Sequence, residues 1–241
     1  MRTILIMSGK GGVGKTTISI GVAKSLSRDY KCGVYDTDFM CPNGPRLLGL
    51  DDDCRVGLED HQKDFDEEKY YPVKFDGMSV FSTGFMLPLD AVMTLEGDRR
   101  SALLKDFTSR LDWGDIDYLI VDLPPGTGDE NLAVIESAHN IVGAVIVVTG
   151  KHESIDDAGR VLTMLDDVPV SIPVIGVVRN MSHIDCPGCK QRIELFNDEL
   201  NIEAELGCKV ICELPYKNLT PADFNDIAGA IVEFCGEEEC E

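Results

Sequence analysis

Short apolar segments alternate with amphipathic segments along most of the chain. Several apolar segments are rich in valine and isoleucine and lack strict alternation with polar residues, which is typical of strands buried on both faces of a parallel sheet. The predicted strands are Thr3–Met7, Cys32–Tyr35, Met78–Ser82, Tyr118–Val121, Ala144–Thr149, Val174–Val178 and Val210–Cys212. The predicted helices between them are Thr16–Ser27, Arg99–Arg110, Glu130–Ala138, Ser154–Leu165, Asp198–Leu206 and Pro221–Phe234. This order predicts an α/β fold with a doubly wound, mostly parallel sheet flanked by helices on both faces.

Two segments depart from this alternation. The segment around residues 50–75 is polar and contains an acidic run, so we predict a loop-rich insertion there. Residues 182–197 lie between a predicted strand and a predicted helix, and this connection is longer than usual, as functional loops often are. The 241 residues contain neither an internal repeat nor a low-complexity linker, which predicts a single domain over residues 1–241.

Charge and apolar length argue against two kinds of partner. Lysine and arginine total 22 and aspartate and glutamate total 43, a formal net charge of −21, so we expect no nucleic-acid or anionic-membrane partner. The longest apolar stretch, Val142–Val148, is far shorter than the roughly 20 residues of a membrane span. Because no signal-peptide pattern is found, we expect a cytoplasmic protein, in which nine cysteines favour reduced thiols or a metal site over disulfides.

Residues 9–16 carry a phosphate-binding pattern. They read Gly-Lys-Gly-Gly-Val-Gly-Lys-Thr, match G-x-x-x-x-G-K-[ST], and lie between a predicted strand and a predicted helix. The glycines let backbone N–H groups turn toward the phosphates, Lys15 reaches the β- and γ-phosphates, and the Thr16 hydroxyl binds Mg²⁺. The candidate nucleotide-binding residues of this loop are Gly9, Lys10, Gly11, Gly12, Val13, Gly14, Lys15, Thr16 and Thr17. Lys10 is an additional cation that can reach a phosphate in the same site or in a facing subunit.

Polar residues follow three predicted strands. Asp122 ends an apolar strand at the sheet edge where ligands bind in open α/β folds, so we predict that it holds Mg²⁺ directly or through a water. Residues 123–129 form a proline- and glycine-rich switch loop in which the Gly126 N–H is placed to sense a γ-phosphate. Asp36 and Asp38 end another strand, and one of these carboxylates is positioned to orient the attacking water near Mg²⁺.

Asn180 ends a further predicted strand. A side-chain amide at the sheet edge can recognise a purine with one donor and one acceptor, and the alternative interpretation is a turn-forming asparagine. No N-K-x-D pattern for guanine is present, which favours ATP over GTP.

Cys186 and Cys189 form a Cys-x-x-Cys pair in the long connection. Two cysteines at this spacing bind one metal ion or form a redox dithiol. A zinc ion or a [4Fe–4S] cluster generally needs four ligands, and the chain contains no second such pair, so two chains together would complete the site. We therefore predict a homodimer with a bridging cluster, with bridging zinc, a dithiol or inert cysteines as the alternatives. The other cysteines have no assigned role; they are Cys32, Cys41, Cys54, Cys208, Cys212, Cys235 and Cys240.

Taken together, these motifs resemble a known family. The loop at residues 9–16, the segment 112–130 (DWGDIDYLIVDLPPGTGDE) and Asn180-Met181-Ser182 followed by Cys186-Pro187-x-Cys189 resemble the Mrp/ApbC branch of the MinD/ParA-like P-loop NTPases, of the SIMIBI type. The resemblance covers about Met1 to Phe234. One departure is Leu95–Asp98, where the family has tryptophan-arginine-glycine-proline.

The resemblance implies a slow ATPase that carries a labile [4Fe–4S] cluster. Such proteins are ATP-dependent carriers or scaffolds that work as dimers and pass the cluster to client apoproteins. By the same resemblance, Lys10 reaches across a nucleotide-sandwich dimer, Asp38 orients water, Asp36 is a Mg²⁺-shell partner and Asn180 contacts the base. The catalytic residues would be Lys10, Lys15 and Asp38.

Two other functions remain open. A MinD/ParA-like positioning ATPase would need a basic membrane-binding helix or a DNA-binding patch, whereas residues 234–241 are acidic and the Cys-x-x-Cys pair would have no use. A metallocentre-insertion ATPase with a bridging zinc or nickel site shares the same chemistry, and the sequence separates it poorly from a cluster carrier.

Overall fold

The computed structural model describes residues 1–40, 42–50, 69–86, 97–169, 171–196 and 200–237. Its strands are β1 (Arg2–Met7), β2 (Cys32–Asp36), β3 (Val73–Phe75), β4 (Met78–Ser82), β5 (Tyr118–Asp122), β6 (Ile141–Val148), β7 (Val174–Arg179), β8 (His183–Asp185), β9 (Arg192–Glu194) and β10 (Val210–Glu213). Its α-helices are α1 (Lys15–Leu26), α2 (Gly44–Leu48), α3 (Thr83–Met86), α4 (Gly97–Arg110), α5 (Asp129–Ser137), α6 (His152–Asp167), α7 (Ile202–Leu206) and α8 (Asn225–Glu237), and a 3₁₀ helix spans Pro221–Phe224.

Eight of these strands form one sheet in the order β10-β7-β6-β1-β5-β2-β4-β3. Seven are parallel, and only the edge strand β3 runs antiparallel to its neighbour β4. A separate two-stranded antiparallel hairpin consists of β8 and β9. The order places β1, with the phosphate loop after it, between β5 and β6 in the middle of the sheet.

An apolar core covers each face of the sheet. On one face α1 and α8 contribute residues such as Ile18 and Ile231. On the other face α4, α5 and α6 contribute residues such as Leu104, Val134 and Val161. The central strands β1 and β5 are buried on both faces, which explains their continuous apolar character. The predicted doubly wound α/β fold is thus confirmed.

All seven predicted strands are present, and five of the six predicted helices begin and end close to their predicted positions. The helix predicted from Asp198 instead begins at Ile202, because the Asn201 side chain caps it by accepting from the Ala204 N–H at 3.1 Å. Within Pro221–Phe234, the first turn is a 3₁₀ helix rather than an α-helix.

Two predictions for irregular segments need correction or fall outside the described residues. The connection 182–197 is not simply a loop, because it contains the hairpin β8–β9, whose strands are too short to give a periodic sequence signal. Most of the insertion predicted around residues 50–75 lies outside the described residues, and its described end contains β3. Among the helices that the structure describes, none combines the length and apolarity of a membrane span.

Candidate functional site

The phosphate loop joins β1 to α1 at the centre of the sheet. Gly12 and Gly14 have backbone φ angles of 79° and 90°, which residues other than glycine rarely adopt. Gly9 lies so close to α6 that a Cβ there would be 2.3 Å from the backbone carbonyl carbon of Asp157. These three positions therefore require glycine for the loop to take this shape.

A cleft of about 620 Å³ lies over this loop. Its lining comprises Ser8, Lys10, Gly11, Gly12, Val13, Gly14, Lys15, Thr16, Thr17, Asp38, Asn43, Arg46, Leu47 and Pro125. Most of the predicted nucleotide-binding residues are thus brought together, with Lys10 exposed at the rim. The residues from α2 and the turn before it were missed, since no phosphate-binding pattern extends to them.

Lys15 and Asp122 form a buried ion pair beside the cleft. The Lys15 Nζ donates to Asp122 Oδ1 at 2.9 Å, and the Ser19 hydroxyl donates to the same oxygen at 2.9 Å. The other carboxylate oxygen, Oδ2, is buried and has no hydrogen-bond partner among the described residues. Because a buried acceptor is rarely left unpaired, this oxygen is suited to a cation or to a water bound to one.

Asp36 is buried and does not line the cleft. Its carboxylate accepts from the Gly44 N–H at 2.9 Å, the Ser82 hydroxyl at 3.1 Å and the Asp38 N–H at 3.2 Å. Burial, and secondly the neighbouring Asp122 carboxylate, raise the pKa of Asp36. In this arrangement Asp36 organises the chain after β2, while Asp38 lines the cleft and accepts from the Met40 N–H at 3.0 Å.

The switch loop is tied to the phosphate loop. The Gly126 N–H, predicted to sense a γ-phosphate, donates to the Ser8 carbonyl at 2.8 Å, so a phosphate would have to replace that acceptor. The Asn131 side chain, which is buried, donates to the Gly126 carbonyl at 2.6 Å. Asn131 was missed by the sequence analysis because it belongs to no recognised motif.

Asn180 contacts the phosphate loop itself. Its side-chain Nδ2 donates to the Val13 carbonyl at 2.7 Å, and the residue is buried and absent from the cleft lining. One of the two amide N–H donors is therefore committed to the loop in this structure, which leaves the other N–H and the Oδ1 atom to contact a base. The base contact implied by the resemblance stays a prediction.

Cys186 and Cys189 lie in the turn of the β8–β9 hairpin, away from the cleft lining. The Cys186 N–H donates to the Gln191 carbonyl, and the Lys190 N–H donates to the Cys186 carbonyl, both at 2.9 Å. Cys186 is partly exposed and Cys189 is exposed. Hydrogen bonds to the Cys186 sulfur, first from the Cys189 N–H and then from the Gly188 N–H, lower the pKa of Cys186 and favour its thiolate.

One chain offers few metal ligands at this turn. In the part of the chain that the structure describes, no group of three or more His, Cys, Asp or Glu side chains is placed to hold a metal ion. The remaining described cysteines lie elsewhere: Cys32, Cys212 and Cys235 are buried and Cys208 is partly buried. Cys41, Cys54 and Cys240 lie outside the described residues.

Ion pairs anchor the hairpin to the edge of the main sheet. Arg179, at the end of β7, lies 3.2 Å from Glu213 of β10 and 3.8 Å from Glu194 of β9. Arg192 of β9 pairs with both of these glutamates. The hairpin is thus attached to the carboxyl ends of two neighbouring parallel strands.

The parallel sheet and the phosphate loop define a P-loop NTPase, and comparison with known proteins identifies the family. The family model ParA, described as NUBPL iron-transfer P-loop NTPase, matches residues 1–233. The iron-sulfur cluster carrier protein of Methanocaldococcus jannaschii is 36% identical over 217 residues, which cover 88% of this chain and 71% of the relative. The cytosolic Fe-S cluster assembly factor NUBP2 homolog of Trichoplax adhaerens is 39% identical over 199 residues, which cover 80% and 72%. The chain therefore belongs to the iron-transfer P-loop NTPases of the ParA/NUBPL family.

Solved structures agree with the fold. A nucleotide-binding protein from Archaeoglobus fulgidus, in complex with ADP, superposes with a TM-score of 0.70 at 30% identity, covering 95% of this chain and 87% of that one. The septum site-determining protein MinD of Pyrococcus horikoshii, in complex with Mg-ADP, superposes with a TM-score of 0.66 at 19% identity, covering 98% and 97%. The first is also related in sequence, whereas the second shows the fold alone.

Proposed function

We propose that this protein is an ATP-dependent carrier of iron–sulfur clusters. In this proposal the whole chain acts as one ATPase domain, and two copies hold a labile [4Fe–4S] cluster as cargo between their Cys186 and Cys189 thiolates. The observation that carries it is a pair of cysteines, Cys189 exposed and Cys186 partly exposed, on one hairpin turn of a chain of the iron-transfer NTPase family. Relatives named as cytosolic assembly factors support a cytosolic site of action.

The cleft over the phosphate loop is the proposed ATP site. Lys15 would leave Asp122 to contact the β- and γ-phosphates, and the loop amides would bind the phosphate oxygens. The donors fit Mg²⁺, since the Thr16 hydroxyl lies in the first turn of α1 and the unpaired Asp122 Oδ2 is buried nearby. Bound Mg²⁺ would neutralise charge on the phosphates, with Asp36 supporting the site.

Hydrolysis is proposed to be slow in the single chain. Asp38 lines the cleft and would orient the attacking water. Lys10 is exposed at the rim, a position from which it would reach the nucleotide of a facing subunit. A complete site would then form only in the dimer, which limits turnover until dimerisation or client binding occurs.

The cargo site follows from ligand number and symmetry. A [4Fe–4S] cluster takes four thiolates, and each chain offers two at the hairpin turn. A two-fold axis beside the turn brings two equivalent pairs together and places the cluster on that axis. Because the turn is exposed, the cluster would be accessible to client apoproteins.

Anaerobic reconstitution with iron and sulfide tests the proposal. The wild-type protein should take up iron and acid-labile sulfide, absorb as a [4Fe–4S] cluster, elute as a dimer and activate an apo-enzyme that requires such a cluster. Cys186→Ala and Cys189→Ala should lose the uptake, whereas Cys208→Ala, which removes a cysteine outside the hairpin, should retain it. Equal uptake by wild type and Cys186→Ala would refute the proposal. Binding of zinc with no cluster formed would instead favour the bridging-zinc alternative.

A further inference from the structure

Asn180 connects the phosphate loop with the root of the cysteine hairpin. Its side chain donates to the Val13 carbonyl, and its own N–H donates to the Val148 carbonyl at the end of β6 at 2.8 Å. Six residues further along the chain is Cys186. We infer that Asn180 is a positioning residue that fastens the phosphate loop to the hairpin, so that nucleotide binding and the conformation of the cysteine turn are coupled.

The contact with Val13 sets the orientation of a phosphate-binding amide. A trans peptide directs its C=O and its N–H to opposite sides, and the structure contains no cis peptide among the described residues. With the Val13 carbonyl held against Asn180, the Gly14 N–H is directed to the other side of the loop. Gly14 lines the cleft whereas Asn180 does not, so this amide is held ready for a phosphate.

Gly14 packs closely against the Asn180 side chain. A Cβ on Gly14 would lie 2.3 Å from Asn180 Nδ2 and 3.8 Å from Met181 Cε. Met181 has a backbone φ of 55°, in the left-handed region that residues other than glycine and asparagine seldom occupy. A change in the position of Gly14 on phosphate binding would therefore displace the Asn180 side chain.

Residues on either side of Asn180 and Met181 connect this segment to the hairpin. Ser182 is buried, and both its N–H and its hydroxyl donate to the Leu214 carbonyl, at 2.9 and 3.1 Å. The Ser182 carbonyl accepts from the Leu195 N–H at 3.0 Å, just after β9. Arg179, on the other side of Asn180, pairs with Glu194 and Glu213. Both strands of the hairpin are thus attached to the segment that contacts the phosphate loop.

The linkage itself does not depend on the cargo. If the turn carries a cluster, as the proposed function holds, the reciprocity of coupled binding requires that nucleotide and cluster alter each other's affinity by the same factor. That consequence rests on the proposed function, whereas the mechanical linkage does not. The two are therefore tested separately.

Hydrogen exchange of the metal-free protein tests the linkage. The peptide covering residues 183–194 contains the Cys186 and Lys190 amides, which close the turn. Saturating Mg-ADP should change the exchange of this peptide in the wild type by about fivefold or more. Asn180→Asp has nearly the same shape but loses the donor, so ADP affinity should fall about tenfold or more and the response of the hairpin should be lost at saturating ADP.

A matched variant separates linkage from simple damage. Asn131→Ala also removes a buried side-chain amide that donates to a loop carbonyl near the cleft. Asn131, however, lies in α5 and not in the segment that precedes the hairpin. At saturating ADP it should keep the response that Asn180→Asp loses. If Asn180→Asp does not fold, Asn180→Ala replaces it. A wild-type hairpin that does not respond to ADP, or a response equally strong in the Asn180 variants, would overturn the inference.

Titration with Co²⁺ as a probe then tests the cargo consequence. Thiolate-to-cobalt absorption reports binding at the cysteines and not at a carboxylate site. The Co²⁺ affinity of the wild type should differ with and without Mg-ADP, and that difference should vanish in Asn180→Asp. Thiolate absorption without any ADP-dependent exchange would refute the linkage and leave the proposed function intact. ADP-dependent exchange without thiolate absorption would support the linkage and count against the proposed function, because the cysteine turn would then bind no metal.

Discussion

Lys15 and Asp122 are paired at 2.9 Å, and their side chains are 7% and 0% exposed. The phosphate pattern assigns the same lysine to the β- and γ-phosphates. On this prediction, nucleotide binding would exchange one anionic partner of Lys15 for another, leaving Asp122 Oδ1 with the Ser19 hydroxyl and Asp122 Oδ2 open to a ligand. The Asp122 carboxylate thus balances the charge of the Lys15 ammonium beside the predicted phosphate site.

Lys15→Ala should abolish this exchange. We expect ADP affinity to fall about a hundredfold or more, because a charged hydrogen bond to phosphate is lost. The free energy of unfolding should fall by about 3 kcal/mol, because Asp122 stays buried beside Asp36 without its counter-ion. Calorimetry and urea unfolding measure the two effects.

Lys24→Ala is the matched control on the same helix. Lys24 is partly exposed and lies 3.7 Å from Asp76, so its removal should change the free energy of unfolding by less than about 0.5 kcal/mol. Normal ADP affinity in Lys15→Ala would contradict the assignment of the loop.

Asp38 and Asp36 should respond differently to replacement by asparagine. Asp38→Asn keeps the acceptor for the Met40 N–H, so the protein should fold and bind ATP, while hydrolysis should fall about a hundredfold through loss of water orientation. Asp36→Asn replaces a carboxylate that accepts from three donors, so stability should fall by about 1–3 kcal/mol. Single-turnover hydrolysis and thermal unfolding distinguish the two. Unchanged turnover in Asp38→Asn would remove it from the mechanism.

Alkylation of the native, metal-free protein should be selective among the described cysteines. Cys189 and Cys186 are accessible at the hairpin turn and should be modified first. Burial raises the pKa of Cys32 to about 12 and that of Cys212 to about 11, so both should react only after unfolding. Peptide mapping after a short exposure to iodoacetamide measures the order. Equal modification of Cys32 and Cys189 would show that the described packing is wrong.

Acid should weaken the cap that precedes α8. Partial burial acts to raise the pKa of Asp223, but hydrogen bonds from Thr220 and Lys217 outweigh it and lower the pKa to about 2. The ordinary value is 3.8, so the folded state binds fewer protons, and this stabilisation is complete above pH 3.8 and is lost as pH falls toward 2.

Asp223→Asn should reveal that pH dependence. Compared with the wild type, it should be less stable by about 1 kcal/mol at pH 7, and the difference should shrink as pH falls below 3.8. Urea unfolding of both proteins at several pH values measures it. A difference that is constant with pH would exclude the Asp223 carboxylate as its source.

The fold and the phosphate loop were predictable because both are encoded locally. The continuous apolar strands reflect burial on both faces of one sheet, which each segment displays by itself. Glycine is required in the loop because of the backbone angles and close contacts at its individual positions. The five-residue helix α2 and the three-residue strand β8 carry too few residues for a clear periodic signal and were missed.

The arrangement of the site depended on the tertiary structure, because its contacts join residues far apart in the chain. Lys15 and Asp122 are 107 positions apart, and Asn180 and Val13 are 167 positions apart. Residue type alone marked Asp36, Asp122 and Asn180 as polar ends of strands. Only the packed sheet decided that Asp36 faces inward to three donors, that Asp122 pairs with Lys15, and that Asn180 holds the phosphate loop, since burial forces each polar atom onto whichever partner the fold brings within reach.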